Sequence, residues 1–183
     1  MSQINRNYEV ITLGGGCFWC TEAVFTRIKG VKKVESGYSG GKTINPTYAQ
    51  ISRGTTGHAE VIQVTFDPKE SSLTDLLEIF FTIHDPTTLN RQGADVGTQY
   101  RSVIFFHTDA QKAIIASVID ELPAKTLWDK PIITQVEPLN TFYKAEDYHV
   151  NYYARHRKQP YCQHVIVPKL DKFRENFRNK LKT

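Results

Sequence analysis

Apolar positions in this chain alternate or fall in short interrupted runs, and their spacing predicts a series of short elements. Residues 8–13 form an apolar, β-branched run that stops at Gly14-Gly15-Gly16, which predicts a strand followed by a sharp turn. Over 18–28, Phe18, Val24, Phe25 and Ile28 fall at helical spacing, and Gly30 follows as a stop. Residues 31–37 and 58–66 read as two further strands. Ser72-Leu73-Thr74-Asp75 has the form of a capping box and opens a helix through 83. A fourth strand is predicted over 100–107, and a helix over 109–122 with Asp109 as its cap. A strand near 132–136 and two helical stretches complete the chain. In the last of these Leu170, Phe173, Phe177 and Leu181 recur at steps of three and four, the mark of a helix docked by one face.

The first six elements spell β-α-β-β-α-β, the split unit of ferredoxin-like sandwiches. The expected fold is therefore α/β, of the α+β kind: a ferredoxin-like split β-α-β plait with long loops and a C-terminal helical extension. A chain of 183 residues without repeats or low-complexity segments reads as a single domain over 1–183. Two turn-rich loops, 36–57 and 85–99, connect elements of this core, and loops of that length in a compact domain usually carry function.

Composition narrows the class. Apolar residues make up 40% and charged residues 23%, which excludes a disordered or fibrous chain. No apolar run approaches the ~18 residues that span a bilayer. Residues 1–6 lack the apolar stretch of a secretory leader, so a cytoplasmic location is expected. Three cysteines are too few for a disulfide scaffold. The net charge of +4 gathers in residues 155–183, which hold nine Lys and Arg against two Asp and Glu. The helical spacing in that stretch reads as a solvated helix face, not a nucleic-acid surface.

Three apparent motifs fail on spacing. The glycines at 14–16 lack the third glycine of a dinucleotide fingerprint, since Trp19 stands there. The run from Gly37 to Thr43 is one residue short of a phosphate loop. His58-Ala59-Glu60 resembles half of a zinc deaminase signature, but no Pro-Cys-x-x-Cys follows it.

Cys17 survives. It lies where a glycine turn gives way to a helix, and helix N-terminal amides stabilise a thiolate, so Cys17 is a candidate nucleophile. Cys20, one turn on, is placed to capture an oxidised Cys17 as a disulfide. Phe18 and Trp19 beside the thiol suit a wall for an apolar ligand group. Glu60 shares its strand face with Ile62, Val64 and Phe66, so its carboxyl points to the apolar side. It is either paired, with Arg101 as the candidate, or kept protonated near neutral pH and able to act as a general acid. Tyr48, Asp95 and Tyr100 lie in or beside the long loops and matter if those loops converge on Cys17.

Six motifs in order carry a resemblance: Gly-Gly-Gly-Cys-Phe-Trp-Cys (14–20), Ser-Gly-Tyr-Ser-Gly-Gly (36–41), Asn-Pro-Thr-Tyr (45–48), Thr-Gly-His-Ala-Glu (56–60), Gly-Thr-Gln-Tyr-Arg-Ser (97–102) and Ala-Glu-Asp-Tyr-His (145–149). From about Val10 to Cys162 the chain closely resembles the A-type peptide methionine sulfoxide reductases. The resemblance implies that Cys17 is the nucleophile and that Phe18 and Trp19 line the pocket for the substrate's S-methyl group. It implies that Glu60 protonates the sulfoxide oxygen with Tyr48 and Tyr100 as companions, and that Asp95 helps hold the site. It further implies an α/β plait, reduction of the S epimer of methionine sulfoxide, free or in proteins, no metal or other cofactor, and electrons from thioredoxin. The expected role is repair of oxidised proteins under oxidative stress, by a monomer with no nucleic-acid or membrane partner.

Most members of that family carry glycine where this chain has Cys20. Cys162 matches the usual recycling cysteine, but the glycine-rich tail with a further cysteine is missing. The resolving residue is thus Cys162 or Cys20, or both in relay. Cys162 is favoured, because a helical pair at i and i+3 must distort to reach disulfide geometry. Two rival readings remain: a general dithiol–disulfide oxidoreductase using Cys17 and Cys20, and a structural zinc module built from Cys17, Cys20, Cys162 and His164.

Overall fold

The structure is a computed structural model and describes residues 7–125 and 128–183. The stretch 1–6, read above as lacking a leader, lies outside the described residues. The elements run β1 (Glu9–Gly14), α1 (Phe18–Phe25), β2 (Val31–Ser39), α2 (Tyr48–Ser52), β3 (Ala59–Phe66), α3 (Leu73–Ile83), β4 (Arg91–Gln92), β5 (Asp95–Val96), β6 (Val103–Phe106), α4 (Asp109–Glu121), β7 (Gln135–Pro138), β8 (Phe142–Lys144), α5 (Tyr152–Arg155) and α6 (Val167–Asn176). The result is a mixed α/β fold. Among the described residues no helix is long and apolar enough to cross a membrane.

The main sheet has the order β7-β6-β1-β3-β2-β8, antiparallel except for the parallel pair of β6 and β7. Alternation along the strands gives it two unlike faces. Ile11, Leu13, Ile62, Val64, Phe66 and Ile104 join Val24, Phe25, Leu76, Phe80, Ile115, Leu170 and Phe173 of the helices in the main core. Ala59, Val61, Val103 and Phe105 form a small second cluster on the other face, against Leu139 and Phe142. Glu60 belongs to the alternation of Ile62, Val64 and Phe66, so it faces the helices.

Element ends shift from the expected ones for local reasons. α1 stops at Phe25 because Thr26 Oγ1 donates back to Glu22 O at 2.8 Å and the next amides close tighter turns. The capping box at Ser72 and Asp75 forms as its sequence predicts, with both reciprocal bonds made. α4 is capped by Thr108, whose hydroxyl accepts from Gln111 N–H, and Asp109 is its first residue instead of its cap. The fourth strand begins only at Val103, because Thr98–Tyr100 winds into a 3-10 turn. The strand expected near 132–136 lies at Gln135–Pro138. α6 ends at Asn176, where Phe177 leaves helical geometry with φ −132°, and Leu181 pairs instead with Ile28 in a short bridge. The amphipathic pattern there marks burial, but not one continuous helix.

The long loops are ordered. In one, Thr47 and Gln50 form a second capping box that starts α2 at Tyr48. In the other, β4 and β5 make a small hairpin.

Candidate active site

Cys17 is the N-cap of α1, at the end of β1 and its glycine turn. Gly16 has φ +91°, a conformation an L side chain strains to adopt, and this lets the chain swing from strand to helix within three residues. Cys17 is buried, with 7% of its surface exposed.

Helix position would favour a thiolate there, yet the structure holds Cys17 as a thiol. Burial pushes it well above its ordinary value, and a hydrogen bond to Cys20 and the charge of Glu60 push the same way. The reason is partly geometric. The first amide of the helix, Phe18 N–H, donates to Glu60 Oε2 at 3.0 Å instead of to the sulfur. A single short helix contributes only ~1 kcal/mol to a nearby charge, less than burial takes away. Cys20 behaves oppositely. The hydrogen bond from Cys17 and the charge of Lys169 pull it down to about 7, against its own burial.

Glu60 stands on β3 opposite Tyr38 of β2 and is 1% exposed. Burial raises it to about 8, the Phe18 amide opposes this, and the charges of Asp95 and Cys20 add to the rise. Arg101, the candidate partner, does not pair with it. Its guanidinium donates to Gln135 Oε1 at 3.0 Å and Thr98 O at 2.9 Å. Of the two readings open for Glu60, the protonated one holds near neutral pH. Its charge in turn raises the Cys17 thiol, so the two groups lie within electrostatic reach of each other.

The long loops converge on this pair. The phenols of Tyr48 and Tyr100 are both raised, by burial first and then by the charges of Glu60 and Cys17, so both lie within electrostatic reach of the acid and the sulfur. Asp95 accepts from Tyr161 Oη at 2.7 Å, and Tyr161 Oη lies 3.7 Å from Cys20 Sγ. A hydrogen-bonded line thus runs from Asp95 through Tyr161 to Cys20.

Phe18 and Trp19 build the wall beside Cys17. Phe18 is fully buried and stacks toward Tyr48 at 6.4 Å and 17°. Trp19 is half-buried, stacks on Tyr152 at 3.7 Å and 3°, and donates from Nε1 to His149 Nδ1 at 2.9 Å. Glu146 ties this region together. It accepts from Tyr38 Oη at 2.9 Å, Tyr48 N–H at 3.0 Å and Tyr148 Oη at 3.0 Å. His149, Glu146, Tyr152, Tyr161 and Lys169 had no role assigned from sequence. The motif at 145–149 contains two of them, but only the fold shows that they back Trp19 and Tyr48.

Cys162 is fully buried at the start of a wide π-type turn, Cys162–Ile166. Burial raises its thiol, and so does the charge of Cys20. His164 lines a separate cavity of about 400 Å³ with Asp95, Tyr161 and Lys169. Among the described residues no three His, Cys, Asp or Glu side chains gather as a metal-holding cluster, so the four zinc donors suggested by sequence do not meet.

Comparisons with known proteins identify the family of the chain. The profile of the family described as peptide methionine sulfoxide reductase matches residues 9–181. A peptide methionine sulfoxide reductase MsrA from Sulfolobus acidocaldarius is 56% identical over 172 residues, covering 94% of this chain and 97% of that protein. The reduced form of Mxr1 from Saccharomyces cerevisiae superposes with a TM-score of 0.78 at 37% identity, over 88% of this chain and 92% of that one. Mxr1 in complex with Trx2 superposes with a TM-score of 0.55 at 30% identity, over 83% and 89% of the two chains. The profile spans nearly the whole chain and the relatives match it in length and backbone, so this chain belongs to the peptide methionine sulfoxide reductase family.

Proposed function

We propose that this oxidoreductase reduces methionine-S-sulfoxide, free or in proteins, with Cys17 as nucleophile and Glu60 as general acid. The observation that carries the reading is a buried carboxyl, raised to about 8, that accepts from the first amide of the helix Cys17 caps. A group that keeps its proton near neutral pH can give it to an oxygen as charge develops there. The Tyr48 and Tyr100 phenols, raised and within reach of the same charges, supply further donors to that oxygen. Phe18 and Trp19 receive the S-methyl group, and Asp95 holds Tyr161 against the thiols.

The steps balance. The Cys17 sulfur attacks the sulfoxide sulfur, and Glu60 protonates the oxygen. The oxygen passes to Cys17 as a sulfenic acid, methionine leaves, and the proton released from the Cys17 thiol restores Glu60. A second thiol then condenses with the sulfenic acid, forming a disulfide and expelling the oxygen as water. A dithiol of the thioredoxin type returns the pair to thiols and leaves as its own disulfide. The complex of Mxr1 with Trx2 supports that choice of reductant.

Cys162 is the favoured partner in this proposal, because Cys17 and Cys20 stand three residues apart at one helix start and must distort to reach disulfide geometry, and Cys20 is the alternative or a relay. Cys20 is drawn down to about 7 by Cys17 and Lys169, and a thiolate attacks a sulfenic acid more readily than a thiol. Cys162 senses the charge of Cys20, which supports a relay from Cys17 through Cys20 to Cys162.

Other readings follow from the same features. The antiparallel set β6-β1-β3-β2, with α1 and α3 on one face, supports a ferredoxin-like plait within a single domain over 1–183. Three free cysteines support a reducing, cytoplasmic setting, and a monomer engaged in protein repair is the default assembly.

The test is a turnover without reductant. Pre-reduced protein mixed with methionine-S-sulfoxide is expected to release methionine and lose two thiols for the first methionine and the third for a second, with the linked peptides mapped by mass. A Cys20–Cys162 disulfide frees Cys17 for a second turnover, so the relay predicts two methionines per chain. A direct Cys17–Cys162 or terminal Cys17–Cys20 bond predicts one. No methionine with all thiols intact sinks the reading.

A further inference from the structure

The segment from the end of α3 through β4 closes over the turn that carries Cys17. Its two ends, His84 and Gln92, lie on the two buried glycines just before the nucleophile. A Cβ on Gly15 would fall 3.0 Å from the His84 ring. A Cβ on Gly16 would fall 2.7 Å from Gln92 Cγ and 2.9 Å from Gln92 Cβ, and the three atoms nearest that position all belong to Gln92. The stem of Gln92 thus fills the space that a side chain at 16 would need.

One side chain joins the two ends of this clasp. Gln92 Oε1 accepts from Asp85 N–H at 2.9 Å, and Gln92 Nε2 donates to Asp85 O at 3.0 Å. A primary amide offers a donor and an acceptor in one planar fork, so it satisfies both backbone groups of a single residue. The turn between the ends is stiffened by its own bonds. Asp85 Oδ1 accepts from Thr87 N–H at 2.8 Å, and Thr88 Oγ1 donates to Arg91 O at 2.7 Å. His84 is held as well: its Nδ1 meets Phe80 O, which can only accept, so Nε2 accepts from Ser102 Oγ at 2.8 Å.

The same hairpin reaches the thiols from its other strand. Gln92 stands opposite Asp95, which accepts from Tyr161 beside Cys20. Cys17 lacks comparable support of its own. As the helix N-cap it makes no side-chain capping bond, and the residue before it is a glycine at φ +91°, the residue type freest to move.

We infer that Gln92 is a positioning residue: latched to Asp85 and lying on Gly16, it fixes the Cys17 backbone relative to Asp95 and Glu60. It touches no reacting atom. The inference rests on the reading of Cys17 as the nucleophile. A displacement of about 1 Å between reacting groups costs roughly 10²-fold in rate, so a loosened clasp slows the chemistry and opens the Cys17 thiol to solvent.

Gln92→Met tests this, because it keeps an unbranched stem against Gly16 and removes both bonds to Asp85. In the full, pre-reduced chain, the single-turnover rate of methionine release at saturating methionine-S-sulfoxide is expected to fall about 10–100-fold, with half-saturation unchanged. Iodoacetamide gives a second readout, with the labelled sites mapped by tandem mass spectrometry. Cys17 is expected to alkylate several-fold faster in the variant, and Cys162, buried elsewhere, at its native rate. An unchanged release rate overturns the inference, as does a change confined to half-saturation. Equal acceleration at Cys17 and Cys162 also overturns it, since that marks general loosening. If circular dichroism shows the variant unfolded, the native chain decides. Its ¹⁵N-labelled Gln92 side-chain amide should exchange with water far more slowly than a free glutamine, and exchange at the free rate overturns the latch. If the native chain releases no methionine, the reductase reading fails, while the Gln92 amide and the Cys17 alkylation still decide the clasp.

Discussion

Replacing Glu60 by glutamine should separate stability from activity, with opposite signs. Below its ordinary 4.5 the carboxyl is protonated in both the folded and the unfolded chain and makes no difference to stability. Between 4.5 and about 8 the unfolded chain has released a proton that the native state keeps, so stability falls as pH rises through this window. This is the reverse of an ion-paired carboxylate. At about 1.36 kcal/mol per pH unit, the penalty grows to roughly 3 kcal/mol at pH 7 and about 5 kcal/mol above pH 8. Glutamine keeps an oxygen for the Phe18 amide but never ionises. Glu60→Gln should therefore unfold at nearly the same urea concentration as the wild type at pH 5 and at a clearly higher one at pH 8. Sulfoxide turnover should fall about 10²–10³-fold, the loss typical of removing a transition-state donor. Urea midpoints across this pH range, with single-turnover methionine release on the same samples, make the comparison. Parallel pH slopes in the two proteins would refute the buried, protonated carboxyl. Undiminished turnover in the variant would refute its role as the acid.

Three further outcomes are expected. Cys20→Ser should abolish the thiol titration near about 7, read by ultraviolet thiolate absorbance, leaving only thiols that ionise at higher pH. Glu146→Gln weakens the acceptor shared by Tyr38, Tyr48 and Tyr148 and should lower kcat by about tenfold, the scale of one charged hydrogen bond, with the fold retained by circular dichroism. Gly37→Ala drives a methyl group into the Phe142 ring and to 2.5 Å from Tyr143 O, so it should part β2 from β8 and lower stability by roughly 1–3 kcal/mol in urea unfolding.

The two thiols show why position along a helix is a weak guide to reactivity. Cys17 has the N-terminal place and remains protonated, because Glu60 takes the amide and burial takes away solvent. Cys20, inside the helix, is the one drawn down toward neutrality. In the proposed mechanism the substrate itself completes the activation of Cys17, as its polarised sulfur approaches the thiol and its oxygen takes the proton of Glu60.

Much of this protein is written locally. Strand alternation alone puts Glu60 on the buried face, because a period of two leaves no freedom once Ile62, Val64 and Phe66 are inside. Helix starts at Ser72 and the strand–turn–helix at Cys17 follow from side-chain capping and glycine backbone freedom, which act within a few residues. The partnerships are different. Whether Glu60 is paired or protonated, whether Tyr48 and Tyr100 meet across two loops, and which residues hold Trp19 all depend on groups tens of residues apart, such as Trp19 and His149. Ends of elements such as α6 were likewise set by tertiary contact, when Leu181 found Ile28 instead of a further helical turn. Hydrophobic periodicity specifies which side of an element is buried. Only the packed chain specifies what each buried polar group finds there, because that depends on desolvation and on neighbours from distant parts of the sequence.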